Sequence, residues 1–496
     1  MYYISTRDTA SFPSQYTAAQ AICSGLAPDG GLFVPASIPQ ITQNELKSLC
    51  SASYDRRAAE ILSLYLTDFS LEELQNLCKQ AYCAESFPNG AAPVSILDEK
   101  NYMLELWHGP TCAFKDMALQ LMPRLLCASL KKTGETRCAY ILVATSGDTG
   151  KAALEGFKNL PGTKILVFYP EHGVSAIQKL QMQTQQGNNV CVAAINGNFD
   201  DAQNGVKRLF SDRALAEDLD RAHVFFSSAN SINWGRLAPQ IAYYVSAYCD
   251  LCNAGKLSMG DLLDVCVPTG NFGNILAAFF AKRMGVPLGR LICASNRNNV
   301  LTAFFEDGKY DRNRPFYTTS SPSMDILISS NLERLLYLYT DAQYTANCMH
   351  LLQQSGCYEI TTALHTALLT DFYGVCANEE ACYAAIREAL EKTGHLIDPH
   401  TAVAYACAQT YRNNTGSTAP LLIVSTASPY KFAQDVLSAL DGKKHDASFQ
   451  TMQQLSTITN TLIPKPLAAL NHQTPRFTGS IQISQMEDKV RSFVQA

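Results

Sequence analysis

The chain has 496 residues, 47% hydrophobic and 17% charged, a balance that suits a folded protein of two or three domains and excludes a disordered or low-complexity one. A net charge of -5, with no basic cluster larger than the pair Lys131-Lys132, excludes the electrostatic footprint of a nucleic-acid binder. No apolar run approaches the ~18 residues of a membrane span, and the amino terminus lacks a basic start followed by an apolar stretch, so no membrane or secretory role is expected.

In chain order, helical patterns come first: TAAQAICSGL, NELKSLCSASYDRRAAEILSLYL and SLEELQNLCKQAY, interrupted by the Gly-rich turn APDGGLFVP and ending near FPNGAAPV. From there short β-branched or aromatic runs alternate with helical ones. AYILVAT (139–145) precedes GKAALEGFKNL; KILVFYP (164–170) precedes VSAIQKLQMQTQQ; NVCVAAI (189–195) precedes DAQNGVKRLF. The rhythm resumes at DLLDVCVP (261–268), RLICAS (290–295) and PLLIVST (420–426), which predicts parallel sheets with covered faces. Residues 305–400 read as mostly helical with a Ser/Thr-rich loop, YTTSSPSMDI, and the end of the chain as a Pro-broken loop and the short helix MEDKVRSFV. The 17 cysteines lie mostly within apolar runs, as buried thiols of a reducing cytoplasm do, and the lone pair Cys249/Cys252 lacks the second pair that a zinc site needs; no metal is expected.

Four places carry chemistry. In HGPTCAFKDMALQLMPRLL (108–126), Lys115 sits where a Gly-Pro turn opens into an apolar helix, a costly place for a charge unless the amine must be neutral and nucleophilic. ATSGDTGKAAL departs from a Walker motif at Thr145 and Ala152, which argues against a nucleotide triphosphate; its small donors Thr145 to Gly150, at a helix start, suit a carboxylate. In VPTGNFGNILAAFFAKR a strand leads through Gly270-Asn271-Phe272-Gly273-Asn274 into a helix, a cradle for a phosphate. In IVSTASPYKFAQDVL, Thr426 ends a strand, where its hydroxyl caps a helix or meets a ring nitrogen. A buried lysine, a phosphate cradle, a donor loop and a strand-end hydroxyl together describe pyridoxal phosphate held as a Schiff base.

HGPTCAFKD, ATSGDTG, NGNFDDA, NSINWGR, PTGNFGN and TASPYKF, in this order over nearly the whole chain, resemble threonine synthase in its branch with a long amino-terminal domain. The resemblance implies the tryptophan synthase β-type fold: a mainly helical domain at 1–95, a large cofactor-binding α/β domain at 96–111 and 231–450, a small mobile α/β domain at 112–230, and a segment at 451–496 packing on the large domain. It implies a lyase, monomer or homodimer, that converts O-phospho-L-homoserine and water to L-threonine and phosphate. By motif, Lys115 carries the cofactor, Gly270, Asn271, Phe272, Gly273 and Asn274 hold its phosphate, and Thr426 faces the pyridine nitrogen. Thr145, Ser146, Gly147, Asp148 and Thr149 line the substrate carboxylate, with Asp148 also toward the cofactor phenolate; Asn230, Ser231, Asn233 and Arg236 lie near the substrate phosphate. His108 reads as structural, and Ser428 stands where several relatives have His. A dehydratase or β-replacement synthase of the same fold shares the lysine and loops, and a catalytically silent binding protein is the alternative from another class.

Overall fold

The runs expected as strands form Cys138–Ala144, Thr163–Pro170, Val190–Ile195, Leu263–Pro268, Leu288–Ser295 and Leu421–Ser425, nearly all of their residues buried, as strands covered on both faces must be. The computed structural model describes residues 1–145, 147–172 and 174–495. Five parallel strands make the smaller sheet, in the order Ser480–Ile481, Val190–Ile195, Thr163–Pro170, Cys138–Ala144, Val224–Ser227. Six make the larger one, in the order Phe372–Cys376, Leu288–Ser295, Leu263–Pro268, Leu421–Ser425, Asn101–Glu105, Val94–Ile96, parallel except for the last pairing.

The local pattern does not mark Asn101–Glu105, Val224–Ser227 or Phe372–Cys376 as strands. Each is short, and its extended form is imposed by partners distant in the chain: Tyr102 lies opposite Leu422, and Val224 opposite Cys138. Within 305–400 the helices Leu332–Tyr339, Ala342–Gln354, Thr362–Asp371 and Glu379–Thr393 are present, with Phe372–Cys376 added at the edge of the large sheet.

The amino-terminal helices start on capping boxes at Thr17, Thr42 and Ser70, where each hydroxyl and the Gln or Glu three residues on satisfy two orphan N–H groups. A two-stranded ladder, Tyr3–Ser5 with Phe33–Pro35, joins them. They pack on helix Trp234–Asn253, which is buried on all sides; its Trp234 ring meets Tyr3, Tyr65 and Phe280 at centroid distances of 5.4, 5.6 and 5.4 Å. Among the described residues no helix is long and apolar enough to cross a membrane.

The expected packing of 451–496 on the large domain is corrected for its last part. Met452, Leu455, Leu467 and Leu470 do join the large-sheet core, but Ser480–Ile481 pairs with Val190–Ile195, and Met486 and Val490 close the core of the smaller sheet with Tyr140 and Leu142. Helix Met486–Gln495 buries its apolar stripe there beside helices Phe199–Ser211 and Arg213–Arg221, completing the cover of that sheet face. Met486 is fully buried over Gly205, so Met486→Ala is expected to destabilise the fold by about 2–5 kcal/mol in urea titration.

Candidate active site

Lys115 opens helix Lys115–Leu119, just after a turn in which Cys112 takes a φ of 58°. The end of strand Leu421–Ser425 clasps this turn: the Phe114 N–H donates to Thr426 O at 2.7 Å, and the Ser428 N–H to Cys112 O at 3.0 Å. The side chain is buried. Its Nζ donates to Ser323 Oγ at 3.3 Å, lies 3.7 Å from Asp148 Oδ2 and stands 4.9 Å from the centre of the Phe114 ring. Burial is the main force pulling the Lys115 pKa below the ordinary lysine value; Asp148 opposes it, and the cations Lys431 and Arg236 reinforce it. Ser323 is held in turn, its N–H donating to His400 Nε2 at 3.2 Å while His400 Nδ1 meets Asp398 Oδ2 at 2.6 Å.

Asp148 starts helix Asp148–Phe157 on the smaller sheet, after Gly147, whose φ of 145° only glycine adopts freely and where a Cβ would press within 2.6 Å of Gln178. Asp148 Oδ1 pairs with Lys431 Nζ at 2.6 Å and accepts from Gln178 Nε2 at 2.8 Å. Lys431, wholly buried, also donates to Thr111 O at 2.9 Å. Burial works to raise the Asp148 pKa, but Lys431 and Lys115 outweigh it and hold the carboxylate ionised. The result is a carboxylate shared between two lysine side chains, with members from both sheets.

The loop after strand Leu263–Pro268 has its carbonyls taken: Gly270 O accepts from Ser329 Oγ at 2.6 Å, and Asn271 O from the Asn331 N–H at 3.1 Å and Nδ2 at 2.9 Å. The N–H groups of Gly270 to Asn274 donate to no acceptor among the described residues. Asn274 Oδ1 accepts from Tyr243 and Tyr244 at 2.6 and 2.5 Å, which leaves its buried Nδ2 without a partner. A Cβ on Gly270 would sit 2.7 Å from Ser323 O, so the loop passes directly over the residue that touches Lys115. Arg236, buried without a carboxylate, donates to Ala229 O at 2.9 Å and keeps an orphan Nε; burial lowers its pKa to about 10. Free backbone donors, an orphan amide and an unpaired guanidinium beside a buried amine fit a phosphorylated aldehyde cofactor and an anionic substrate. Among the described residues no cluster of His, Cys, Asp or Glu could hold a metal ion.

Residues 2–82 match the family model of the threonine synthase N terminus, 99–427 that of the pyridoxal-phosphate dependent enzymes, and 401–478 that of the threonine synthase C-terminal region. Threonine synthase of Pseudomonas aeruginosa is 36% identical over 442 residues, 88% of this chain and 90% of the relative. The chain belongs to the threonine synthase family. Its cofactor is pyridoxal phosphate. Its fold is that of the pyridoxal phosphate-bound threonine synthase from Brucella melitensis, at a TM-score of 0.88 and 35% identity with both chains covered at 100%. Human threonine synthase-like 1 is 42% identical over 459 residues, 90% of this chain; the chain spans 61% of that protein's length.

Against this family background the residues singled out by motif divide. Lys115, Asp148, Arg236, the 270–274 loop and Thr426 converge; Thr426 is nearly buried, and its hydroxyl makes no hydrogen bond with the described residues. Thr145 Oγ1 accepts from the Gly147 and Gly150 N–H groups at 3.0 and 2.9 Å, so its oxygen closes the turn. Thr149 and Ser231 are half-buried and Asn230 is exposed, while Ser146 lies outside the described residues. One assignment is corrected. Asn233 is no substrate ligand: its Oδ1 accepts from the Gly235 N–H at 2.8 Å in capping helix Trp234–Asn253, and its Nδ2 donates both hydrogens to Ile22 O and Ser228 O at 3.0 and 3.3 Å. His108 has its Nε2 2.6 Å from Glu105 Oε2.

Lys431, Ser323, His400 and Gln178 escaped the sequence reading. For Lys431 a signal existed, a lysine within the apolar stretch after a strand end, which is the criterion that picked out Lys115. Two outcomes follow. Asn233→Ala is expected to cost about 1–3 kcal/mol in denaturant unfolding, from the lost cap and the stranded Ile22 carbonyl. Asp116, which accepts from the Thr111 N–H and hydroxyl at 2.8 and 2.7 Å, has its pKa lifted by burial from 3.8 to about 6. Folded protein thus holds this proton more tightly than unfolded chain; the contribution to stability is full below the ordinary carboxylate pKa and is lost as pH rises through about 6. Asp116→Asn should flatten the pH dependence of the urea midpoint across that window.

Proposed function

We propose that the chain is a threonine synthase that converts O-phospho-L-homoserine and water to L-threonine and inorganic phosphate. The observation that carries this reading is the buried Lys115 amine, with its lowered pKa, facing an unpaired Arg236 and the free N–H donors of the 270–274 loop. In this reading Lys115 bears the cofactor, the 270–274 loop holds the cofactor phosphate, and the Thr426 hydroxyl faces the ring nitrogen. When bound, pyridoxal phosphate supplies the electron sink that acidifies the substrate's α- and β-hydrogens.

Lys115, once freed by the substrate amine, removes the α-proton and then a β-proton, so that the γ-phosphate leaves with the electron pair of its C–O bond. Arg236 neutralises the departing charge. Protons then return to the γ- and α-carbons, while water adds its hydroxyl to the β-carbon. The atoms balance, with one water consumed and one phosphate released. Thr426 offers a neutral hydroxyl where a carboxylate would stabilise a protonated ring nitrogen, and so would favour a weaker electron sink that leaves electron density available for the γ-carbon. The 112–230 unit, tied to the large sheet through Asp148 and Lys431, would limit entry of water until elimination is complete.

Incubation with O-phosphohomoserine should release threonine and phosphate in equal amounts. Homoserine, which leaves the phosphate donors unpaired, should be used about 10⁴-fold less well in kcat/KM. Equal turnover of serine or threonine to a keto acid would instead identify a dehydratase. Borohydride should fix the cofactor to the Lys115 peptide, and Lys115→Ala should lower kcat by about 10³-fold or more.

A further inference from the structure

Two lysines are buried in this site, and their surroundings differ. Lys431 Nζ has a 2.6 Å ion pair with Asp148 and a 2.9 Å bond to Thr111 O, both suited to an ammonium. Among the described residues Lys115 Nζ has only the farther oxygen of the same carboxylate at 3.7 Å and a neutral hydroxyl, Ser323, at 3.3 Å. Lys431 and Arg236 both act on Lys115, with the Asp148 carboxylate between the two lysines and Asp116 also acting on Lys431. The other charged groups nearby are already engaged. Asp116 is bound by Thr111, and His400 accepts the Ser323 N–H on Nε2, so that its proton sits on Nδ1 toward Asp398. When one buried cation must give up its proton, it is the one with the weakest pairing.

We infer that Lys431 and Asp148 form a charge-setting pair for Lys115: Lys431 takes the larger share of the Asp148 carboxylate, so that Lys115 is the lysine left neutral and nucleophilic. Lys431 is a positioning residue here, acting through Asp148. The pair also explains an acidic residue at 148 beside a nucleophilic amine: alone, Asp148 would hold Lys115 protonated; alone, Lys431 would be an uncompensated buried charge. The inference rests on Lys115 as the working amine of the proposed reaction, and its test is independent of the substrate.

The full-length chain, stripped of cofactor with hydroxylamine, is labelled with limiting acetic anhydride across pH 6–10, and acetylation of the Lys115 peptide is read by mass spectrometry. Lys431→Met should move the Lys115 midpoint up by about one unit or more, roughly a tenfold loss of reactivity near neutral pH, because Asp148 then serves Lys115 alone. Asp148→Asn should move it down. The double variant Asp148→Asn/Lys431→Met should fall between them, and Lys431→Arg should stay near the parent. Both single variants shifting in the same direction, or neither shifting while thermal stability falls, would overturn the inference and leave the pair a structural tie. Should a stripped variant unfold, the pH midpoint of the visible cofactor band in the loaded protein gives the same signs. Loss of threonine formation with these opposite shifts intact would count against the proposed function alone.

Discussion

The Asp148 carboxylate, held between the buried side chains of Lys431 and Lys115, is the interaction on which the site depends. Asp148 belongs to the smaller sheet, Lys431 follows a central strand of the larger one, and Lys115 lies in the segment that passes between them. Removing Asp148 or Lys431 strands a charge in low dielectric, where an unpaired ion is far more costly than a paired one. The three side chains therefore specify a single relative placement of the two sheets around the amine. Gln178 and Thr111, which complete the hydrogen bonding of Asp148 and Lys431, remove the remaining freedom.

Around this centre the donors for anions come from strand ends. Parallel strands followed by helices leave N–H groups without intrahelical partners, and the 270–274 loop keeps those donors free by committing its carbonyls to Ser329 and Asn331. Asn331 also accepts from the guanidinium of Arg334, which reaches Phe33 O at 2.9 Å and Ile232 O at 2.6 Å. Arg7 meets Glu333 at 2.7 Å, and Asn233 holds Ile22 O. The amino-terminal unit thus braces both the phosphate loop and the start of the helix that carries Arg236. Its contribution to chemistry is rigidity, because a donor set displaced by an ångström loses much of its worth. The buried cysteines take no part. Burial pushes the thiols of Cys112 and Cys293 up to about 12, and they serve as small apolar side chains.

Much was legible in the sequence because it is local. Alternation of β-branched runs with helical ones decided the α/β class, since a strand buried on both faces must be apolar throughout. Glycines at 147, 270 and 273 marked the turns where backbone approaches a ligand, and Lys115 stood out as a charge at the mouth of an apolar helix. Helical patterns such as SLEELQNLCKQAY located the amino-terminal helices by periodicity.

What only the tertiary structure decided was partnership. Asn233 and Arg236 lie three residues apart in one motif, yet the first commits its amide to a helix cap and two backbone carbonyls while the second, bonded to Ala229 O, has no carboxylate partner among the described residues and an orphan Nε. Strand Asn101–Glu105 is a strand because Leu421–Ser425 lies beside it, and the last helix joins two others, Phe199–Ser211 and Arg213–Arg221, in covering the smaller sheet. Lys431 and Lys115 look alike in sequence, each a lysine in an apolar stretch after a turn. Their difference is tertiary: Lys431 reaches Asp148 at 2.6 Å and Lys115 at 3.7 Å, and the roles proposed for them, counter-ion and nucleophile, follow from those distances. Periodicity and turn chemistry act over a few residues and can be read along the chain; the energy of a buried charge depends on its neighbours in space, and those are known only once the chain is folded.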